Sequence, residues 1–548
     1  MERIGRRYRS GRAAAHYDAI VVGSGIGGLT TAALLSKLGR KVCVLEQHYT
    51  AGGFTHSYER GGYEWDVGVH YVGDVGKPTS QLRRVFDVIT EGALQWAPMD
   101  ACYDRIMVGG RRYDFVAGRD NFAAELKKHF PDEAQAIDRY IELVYRVARS
   151  SPRFFAGQAM PPRVARIYNK LRRHLVPREC LMTVRQVLES LTQNQELIGV
   201  LAGQWGDYGM VPEQASFIMH AAVAKHYFNG GFYPAGGSWK IAQHVLPVIR
   251  ASGGEVFTYA RVKRIVAEHG RACGVELDNG DVLRGRQIVS SVGARMTFGE
   301  LIEPALRQQL GYETPLRQAR PSGSSLCLFL GFKGSAAELD LPKTNLWIYP
   351  GPHHEQNVAR FATDRNADFP LLYVSFPSAK DPEWDRHYPG KSTVQVITMA
   401  PYEWFAQWQG STWNQRGADY EALKQQFTER MLAALYREMP QLQGRLDIAE
   451  LATPLSTQWF HLYDRGEIYG LDHDAQRFSD DWLQSTTRLA GLYLTGQDVV
   501  TAGVGGAMMA GVLTTAAMLG LQSRKVWKLL KQWAPAAAHN GATAPVSA

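Results

Sequence analysis

The sequence predicts an α/β fold in two domains, and three stretches predict it. Near the N-terminus an apolar strand, a glycine turn, a helix of small residues and a second strand follow one another, and the second strand ends in an acid. A central stretch gives a glycine–proline loop, a helix and four strands. Near the C-terminus a short strand runs into a glycine-rich helix. The chain has 548 residues, more than one compact core usually holds, which is the argument for two domains. Hydrophobic residues at 45% and charged residues at 21% exclude a disordered, collagen-like or disulfide-scaffold chain.

The first element is Tyr17–Val22, a short run of β-formers that ends at Gly23-Ser24-Gly25-Ile26-Gly27-Gly28. Leu29–Leu38 reads as a helix closed by Gly39, and Lys41–Leu45 as a second strand ending at Glu46. This is the order of a Rossmann-type dinucleotide site, and each part has a physical task. Gly23 allows the tight turn, Gly25 lets backbone N–H groups approach a pyrophosphate, and Gly28 lets helix and strand pack closely. The helix start adds a positive dipole end, and Glu46 can accept hydrogen bonds from ribose hydroxyls. A lone GxGxxG is weak, but here its flanking elements are all in place. After Glu46 the chain meets a second glycine pair, Gly52-Gly53, which brings backbone past the cofactor again and argues for FAD over NAD.

The segment AGGFTHSYERGGYEWDVGVHYVG follows, with Asp66 and Gly68 as a D-x-G step. GxGxxG, then ExxxxxGG, then D-x-G resembles FAD-containing amine oxidases and phytoene-desaturase-type enzymes, and the wording resembles the retinol saturase and carotenoid isomerase branch. The C-terminal segment agrees, since GLYLTGQD ends at Asp498 and Gly503-Val504-Gly505-Gly506 opens a helix. These motifs bracket the chain from Asp18 to Leu519, whereas the middle matches only loosely.

The resemblance implies a discontinuous FAD-binding domain over 17–76, 230–292 and 489–521, with an inserted mixed α+β substrate domain over 77–229 and 293–488. The tails 1–16 and 534–548 are expected to be disordered. The cofactor site is expected to include Gly23, Ser24, Gly25, Gly27, Gly28, Glu46, Gln47, Gly52, Gly53, His56, Val262, Gly496, Asp498 and Gly505. Family position implies that Asp498 faces the ribityl or pyrophosphate part of FAD, that the strand at Val262 passes the adenine, and that the helix start at Gly505 lies near the flavin ring. His56 stands where many desaturases carry Arg.

The implied activity is oxidoreduction at a C=C bond of a hydrophobic polyene, a retinoid- or carotenoid-like lipid, with saturation of one double bond as the leading reading. The alternatives are carotenoid desaturation, redox-neutral cis–trans isomerisation, amine oxidation and a non-catalytic lipid carrier. Saturation needs a proton donor. The candidates are His70, Tyr71 and Tyr233, followed by His226 and His461. No second GxGxxG lies on a strand–helix junction, so electrons are expected from another protein, a quinone or transiently bound NAD(P)H. His353-His354 lacks carboxylates at ligand spacing, and no metal is expected.

The formal charge is +8, and it is uneven. Ser150–Arg178 holds no Asp or Glu, and its arginines alternate with Phe154, Phe155, Ile167, Leu171 and Leu175. Arg524–Trp533 repeats the pattern with Lys525, Lys528 and Lys531. Such stretches suit an anionic membrane surface or an ordinary helix face over core. No nucleic-acid module accompanies them. The N-terminus lacks the apolar stretch of a secretion signal, and five scattered cysteines fit a reducing compartment. The expectation is a cytoplasmic protein, peripheral on a membrane.

Overall fold

The computed structural model describes residues 3–533. Its first large sheet runs Arg6–Arg7, Glu255–Thr258, Val42–Leu45, Tyr17–Val22, Val282–Ser290, Arg271–Leu277 and Val262–Glu268, and Leu492–Leu494 also pairs with Val282–Ser290. The strands from Arg6 to Ser290 in that order are parallel up to the last two, which fold back as antiparallel hairpins. Ile20 pairs with Cys43 on one side and Ile288 on the other. Helices cover both faces, so Val42–Leu45 is buried at every position and reads as one apolar run without alternation.

Helix Ile26–Lys37 is buried along nearly its whole length. It can be, because it carries Gly, Ala, Thr and Leu and no charge before Lys37. Helix Gly503–Leu519 lies directly on it. A Cβ on Gly511 would stand 2.7 Å from the Gly27 carbonyl oxygen, so two backbones meet there. The apolar stretch Gly503–Gln522 is long enough to cross a membrane, but 56% of it is buried inside the protein.

The second sheet runs Leu446–Ala452, Ser325–Lys333, Lys391–Met399, Leu372–Ser375, Asn345–Tyr349, Cys102–Val108 and Arg111–Val116. Its apolar residues, with helix Ala418–Glu438, form a core of Leu328, Leu330, Val394, Val396, Phe427 and Met431. Asn345–Tyr349, Cys102–Val108 and Arg111–Val116 were not legible as strands: the last two mix charged residues with aromatics, and Asn345–Tyr349 is a run of five residues that pairs with distant Cys102–Val108.

One expectation changes. The N-terminal stretch is not a loose tail: Arg6–Arg7 adds a parallel edge strand to Glu255–Thr258, and Ile4 is buried. The edge of a sheet offers unpaired backbone groups, and these residues take them. Ser238, just before helix Lys240–Arg250, donates through both its N–H and its hydroxyl to Asp66 Oδ1, at 2.9 and 2.7 Å. The tail 534–548 lies outside the described residues.

The two basic stretches also part company. In Arg524–Gln532 the apolar Val526 and Leu530 point inward and the lysines outward, which is an ordinary amphipathic surface helix. In Pro162–Arg172 only Ala165 and Arg172 are buried. Val164, Ile167 and Leu171 are each more than half exposed, at 52%, 63% and 54%, and Leu175 follows them at 47%. Arg163, Arg166, Lys170 and Arg173 stand exposed around them.

Candidate functional site

One cavity of about 1460 Å³ runs between the two sheets. Sites for a single small ligand usually measure roughly 300–1000 Å³, so this one has room for a cofactor and a substrate together. Its two ends are built differently.

At one end the wall is backbone. Gly23 turns the chain with φ +91°. A Cβ on Gly28 would come within 2.4 Å of the Gly23 carbonyl oxygen, and one on Gly53 within 2.9 Å of Gly25 Cα. The two glycine loops therefore touch. At Gly25 a Cβ would meet only Ser291 Oγ at 3.9 Å, so the Gly25 peptide faces open cavity. The helix that begins after Gly25 has no side-chain cap, and neither does the one that begins at Gly503. Both starts line the cavity, with free N–H groups and the positive ends of their dipoles. Such a wall suits a diphosphate-bearing ligand.

Glu46 ends its strand in the same wall. Ser24 donates to Glu46 Oε2 through its N–H at 3.0 Å and its hydroxyl at 2.6 Å, and the His48 N–H donates to Oε1 at 2.8 Å. The Gly52 N–H donates to Ser24 Oγ at 3.0 Å, which ties the second glycine loop to the first. A carboxylate accepts about four hydrogen bonds, so Glu46 keeps capacity for a further donor. Gln47 lines the cavity and donates to the Phe460 carbonyl. His56 bonds the Gly53 carbonyl through Nδ1 at 2.6 Å, and burial pushes its imidazole down to about 4. Val262, Gly496 and Gly505 line the same cavity.

Asp498 departs from expectation. Its Oδ2 accepts from the Ala294 N–H at 2.7 Å and its Oδ1 from the Leu471 N–H at 2.9 Å, and it does not line the cavity. The carboxylate holds two loops together behind the wall. Gln497 reaches the cavity in its place, an amide with no motif to mark it.

At the other end the wall is side chains, chiefly Trp347, Leu371, Tyr373, Met219, Tyr227 and Tyr469. His70 and Tyr71 line it too. The His70 ring lies 5.2 Å from that of Tyr373, and burial pushes it down to about 3, so it is neutral near pH 7. Tyr71 stacks on Tyr227 at 4.0 Å, and its hydroxyl lies 2.9 Å from Asp104 Oδ2 and 3.1 Å from Asp207 Oδ2. Tyr233 is a correction: it is buried outside the lining, and its hydroxyl donates to Asp66. Asp66 also accepts from Ser57 and Ser238, so the D-x-G step is a structural hub. His226 accepts the Gly73 N–H at 2.7 Å, and His461 stacks on Phe54 at 4.0 Å.

Sequence reading missed Asp104, Asp207 and Lys380. Lys380 is 1% exposed and donates to the His70 carbonyl at 3.1 Å and Ser375 Oγ at 2.8 Å, and also to Asn345. Desolvation pushes its ammonium down to about 7. All three lie in the loosely matching middle of the chain, where no spacing singles them out.

Two uncapped helix starts, paired glycine loops and an acid at a strand end, opening on a large aromatic cavity, define an FAD-dependent oxidoreductase. The chain belongs to the flavin-containing amine oxidoreductase family, which it matches over residues 26–519. It is 35% identical to the all-trans-retinol 13,14-reductase of Homo sapiens, over 92% of this chain and 85% of that protein. It is 25% identical to the chloroplastic prolycopene isomerase of Daucus carota, over 93% of this chain and 81% of that protein. A putrescine oxidase structure with bound putrescine superposes with a TM-score of 0.62, at 16% identity, over 92% of this chain and 99% of that one, and so shares the fold.

Proposed function

We propose that this protein saturates one C=C bond of a retinoid-like polyene. The observation that carries the reading is the single cavity that joins a dinucleotide-shaped backbone wall to a long aromatic and apolar one. The similarity to retinol 13,14-reductases supports it. A bound flavin supplies two-electron chemistry at the junction of the two walls. Gly23 to Gly28, Gly53 and the Gly503 helix start would hold its phosphates and ring, and Glu46 its ribose. The aromatic wall excludes water and orients the polyene by its flat faces. The distribution of strands supports a FAD-binding domain over 17–76, 230–292 and 489–521, with the substrate domain inserted, and the edge strand at Arg6–Arg7 belongs with the former.

The test is anaerobic incubation of chemically reduced, flavin-loaded protein with all-trans-retinol and a set of carotenoids, read by product mass. A gain of two hydrogens is the expected result. Unchanged mass with altered retention would replace saturation by isomerisation. Loss of hydrogens by the oxidised protein would replace it by desaturation, and peroxide release with an amine by amine oxidation.

The reading includes an anionic membrane surface as the source of substrate. Helix Pro162–Arg172, with its exposed Val164, Ile167 and Leu171 among exposed arginines, supports it. Chain just before that helix, from Tyr145 to Ala159, lines the cavity, so the apolar face adjoins a way in. Flotation with anionic vesicles is expected, weaker in high salt. Ile167→Asp with Leu171→Asp should abolish it, while Lys525→Glu should change it little. Equal flotation with neutral vesicles would remove the electrostatic part.

A further inference from the structure

The Tyr71 hydroxyl stands between two carboxyl groups, 2.9 Å from Asp104 Oδ2 and 3.1 Å from Asp207 Oδ2. A tyrosine hydroxyl has one proton to donate. If both carboxyl groups were ionised, one of these contacts would set oxygen lone pairs against each other in a buried place. The trio therefore needs a second proton, on one of the two aspartates. Its position follows from the other hydrogen bonds. Asp104 accepts from Asn345 Nδ2 at 2.9 Å and from Gln204 Nε2 at 2.7 Å, and two N–H donors hold a carboxylate in its charged form. Asp207 has no such donor among the described residues. Asp104 is thus the anion that accepts the Tyr71 proton, and Asp207 the acid whose own proton points back to Tyr71 or into the cavity.

Asp207 lines the cavity and Asp104 does not. The other carboxyl groups of the lining are engaged or outside. Asp74 pairs with Lys225, Glu450 with Arg60 and Glu421 with Lys424. Glu46 takes three hydrogen bonds at the cofactor end, and Glu59 is exposed. The groups that face Asp207 are the Asp104 anion and a shell of tyrosines, namely Tyr71, Tyr208, Tyr227, Tyr349, Tyr373 and Tyr469. The buried cation Lys380 faces Asp104 and not Asp207. Burial and the Asp104 charge push Asp207 well above the usual carboxylate range, in keeping with the hydrogen-bond count.

We propose that Asp207 is the proton donor to the double bond, with Tyr71 and Asp104 as the positioning residues that keep it protonated. The proposal rests on the saturase reading above. In the step, the π bond breaks and two C–H bonds form. One carbon takes the proton of the Asp207 carboxyl group, and its neighbour takes the hydride that a reduced flavin supplies. The flavin is oxidised by two electrons, the polyene is reduced by two, and Asp207 is left as a carboxylate. It regains a proton from water when product leaves.

Two measurements on the flavin-loaded full chain test this. The infrared difference between wild type and Asp207→Asn at pH 7 should show the carbonyl stretch of a protonated carboxyl group, and Asp207→Glu should restore it. Absence of that band from the difference spectrum overturns the assignment whatever the enzyme does with retinol. Single turnover of chemically reduced protein with all-trans-retinol in deuterated buffer is the second. Asp207→Asn should slow it about 10²–10⁴-fold, the usual weight of a general acid, with flavin content unchanged. At the carbon that takes the proton, the wild-type product should carry solvent deuterium on one face, and the residual Asp207→Asn product on both. A rate within threefold of wild type, with one-faced labelling, overturns the donor role. A wild type that reduces no polyene counts against the saturase reading, and the infrared band still decides which group holds the proton.

Discussion

The two ends of the cavity are built on different principles. The cofactor end is made of backbone, with glycines where a Cβ would collide with a neighbouring peptide. The substrate end is made of side chains from segments far apart in sequence, such as Tyr71, Asp207, Trp347 and Tyr373, with Asp104 and Lys380 behind them. A backbone site fixes position through sterics and tolerates little variation. A side-chain site can change its chemistry one residue at a time on an unchanged frame. Relatives named for retinol reduction and for prolycopene isomerisation are consistent with that division of labour.

The largest effect that would test this comparison is expected at Gly25. Its φ of −60° suits any residue, and a Cβ there meets nothing closer than 3.9 Å. Gly25→Val should therefore fold but purify without flavin, as read from visible absorbance and melting temperature. Gly28→Ala should instead lose stability, by about 1–3 kcal/mol or more, because its Cβ would strike the Gly23 carbonyl. A yellow, fully loaded Gly25→Val would break the assignment of that wall to the pyrophosphate.

Among the buried side chains the expected signature is acid sensitivity. Desolvation pushes His70 and His220 down to about 3, and His226 and His354 down to about 4. The folded protein keeps these rings neutral, while the unfolded chain takes up protons below about 6.5. Their contribution is full above pH 6.5 and is lost as pH falls toward 4, at up to about 1.4 kcal/mol per group per pH unit. Urea unfolding at pH 7.0, 6.0 and 5.5 should lose several kcal/mol across that interval. A flat profile would mean that these rings are not held neutral.

The smallest effect sharpens the boundary of the site. Tyr233→Phe removes one hydrogen bond to Asp66 and should cost about 1–2 kcal/mol in unfolding free energy. Flavin content and turnover should be unchanged. A large loss of turnover with normal stability would restore Tyr233 to the chemistry.

The same contrast explains what could be read from sequence. Tyr17–Val22 was legible to the residue, because an apolar run that ends at a glycine turn reports a strand directly. The glycine loops and Glu46 were legible because a steric requirement leaves a spacing behind. Asp498 was legible as a motif but not in its task, since nothing local shows that it accepts the N–H groups of Ala294 and Leu471. Asp207 and Lys380 left no trace. A buried acid or lysine is defined by its neighbours in space, and those come from the sheet whose strands were the hardest to see.

The two bare helix starts have a consequence for the life of the protein. With no side chain to satisfy their N–H groups, a flavin bound there would serve as their missing cap, and its binding free energy would become folding free energy. At a free flavin concentration 100 times the dissociation constant this adds about 2.7 kcal/mol. The abundance of the folded enzyme would then follow vitamin supply, so a cell short of riboflavin would lose the protein itself as well as its activity.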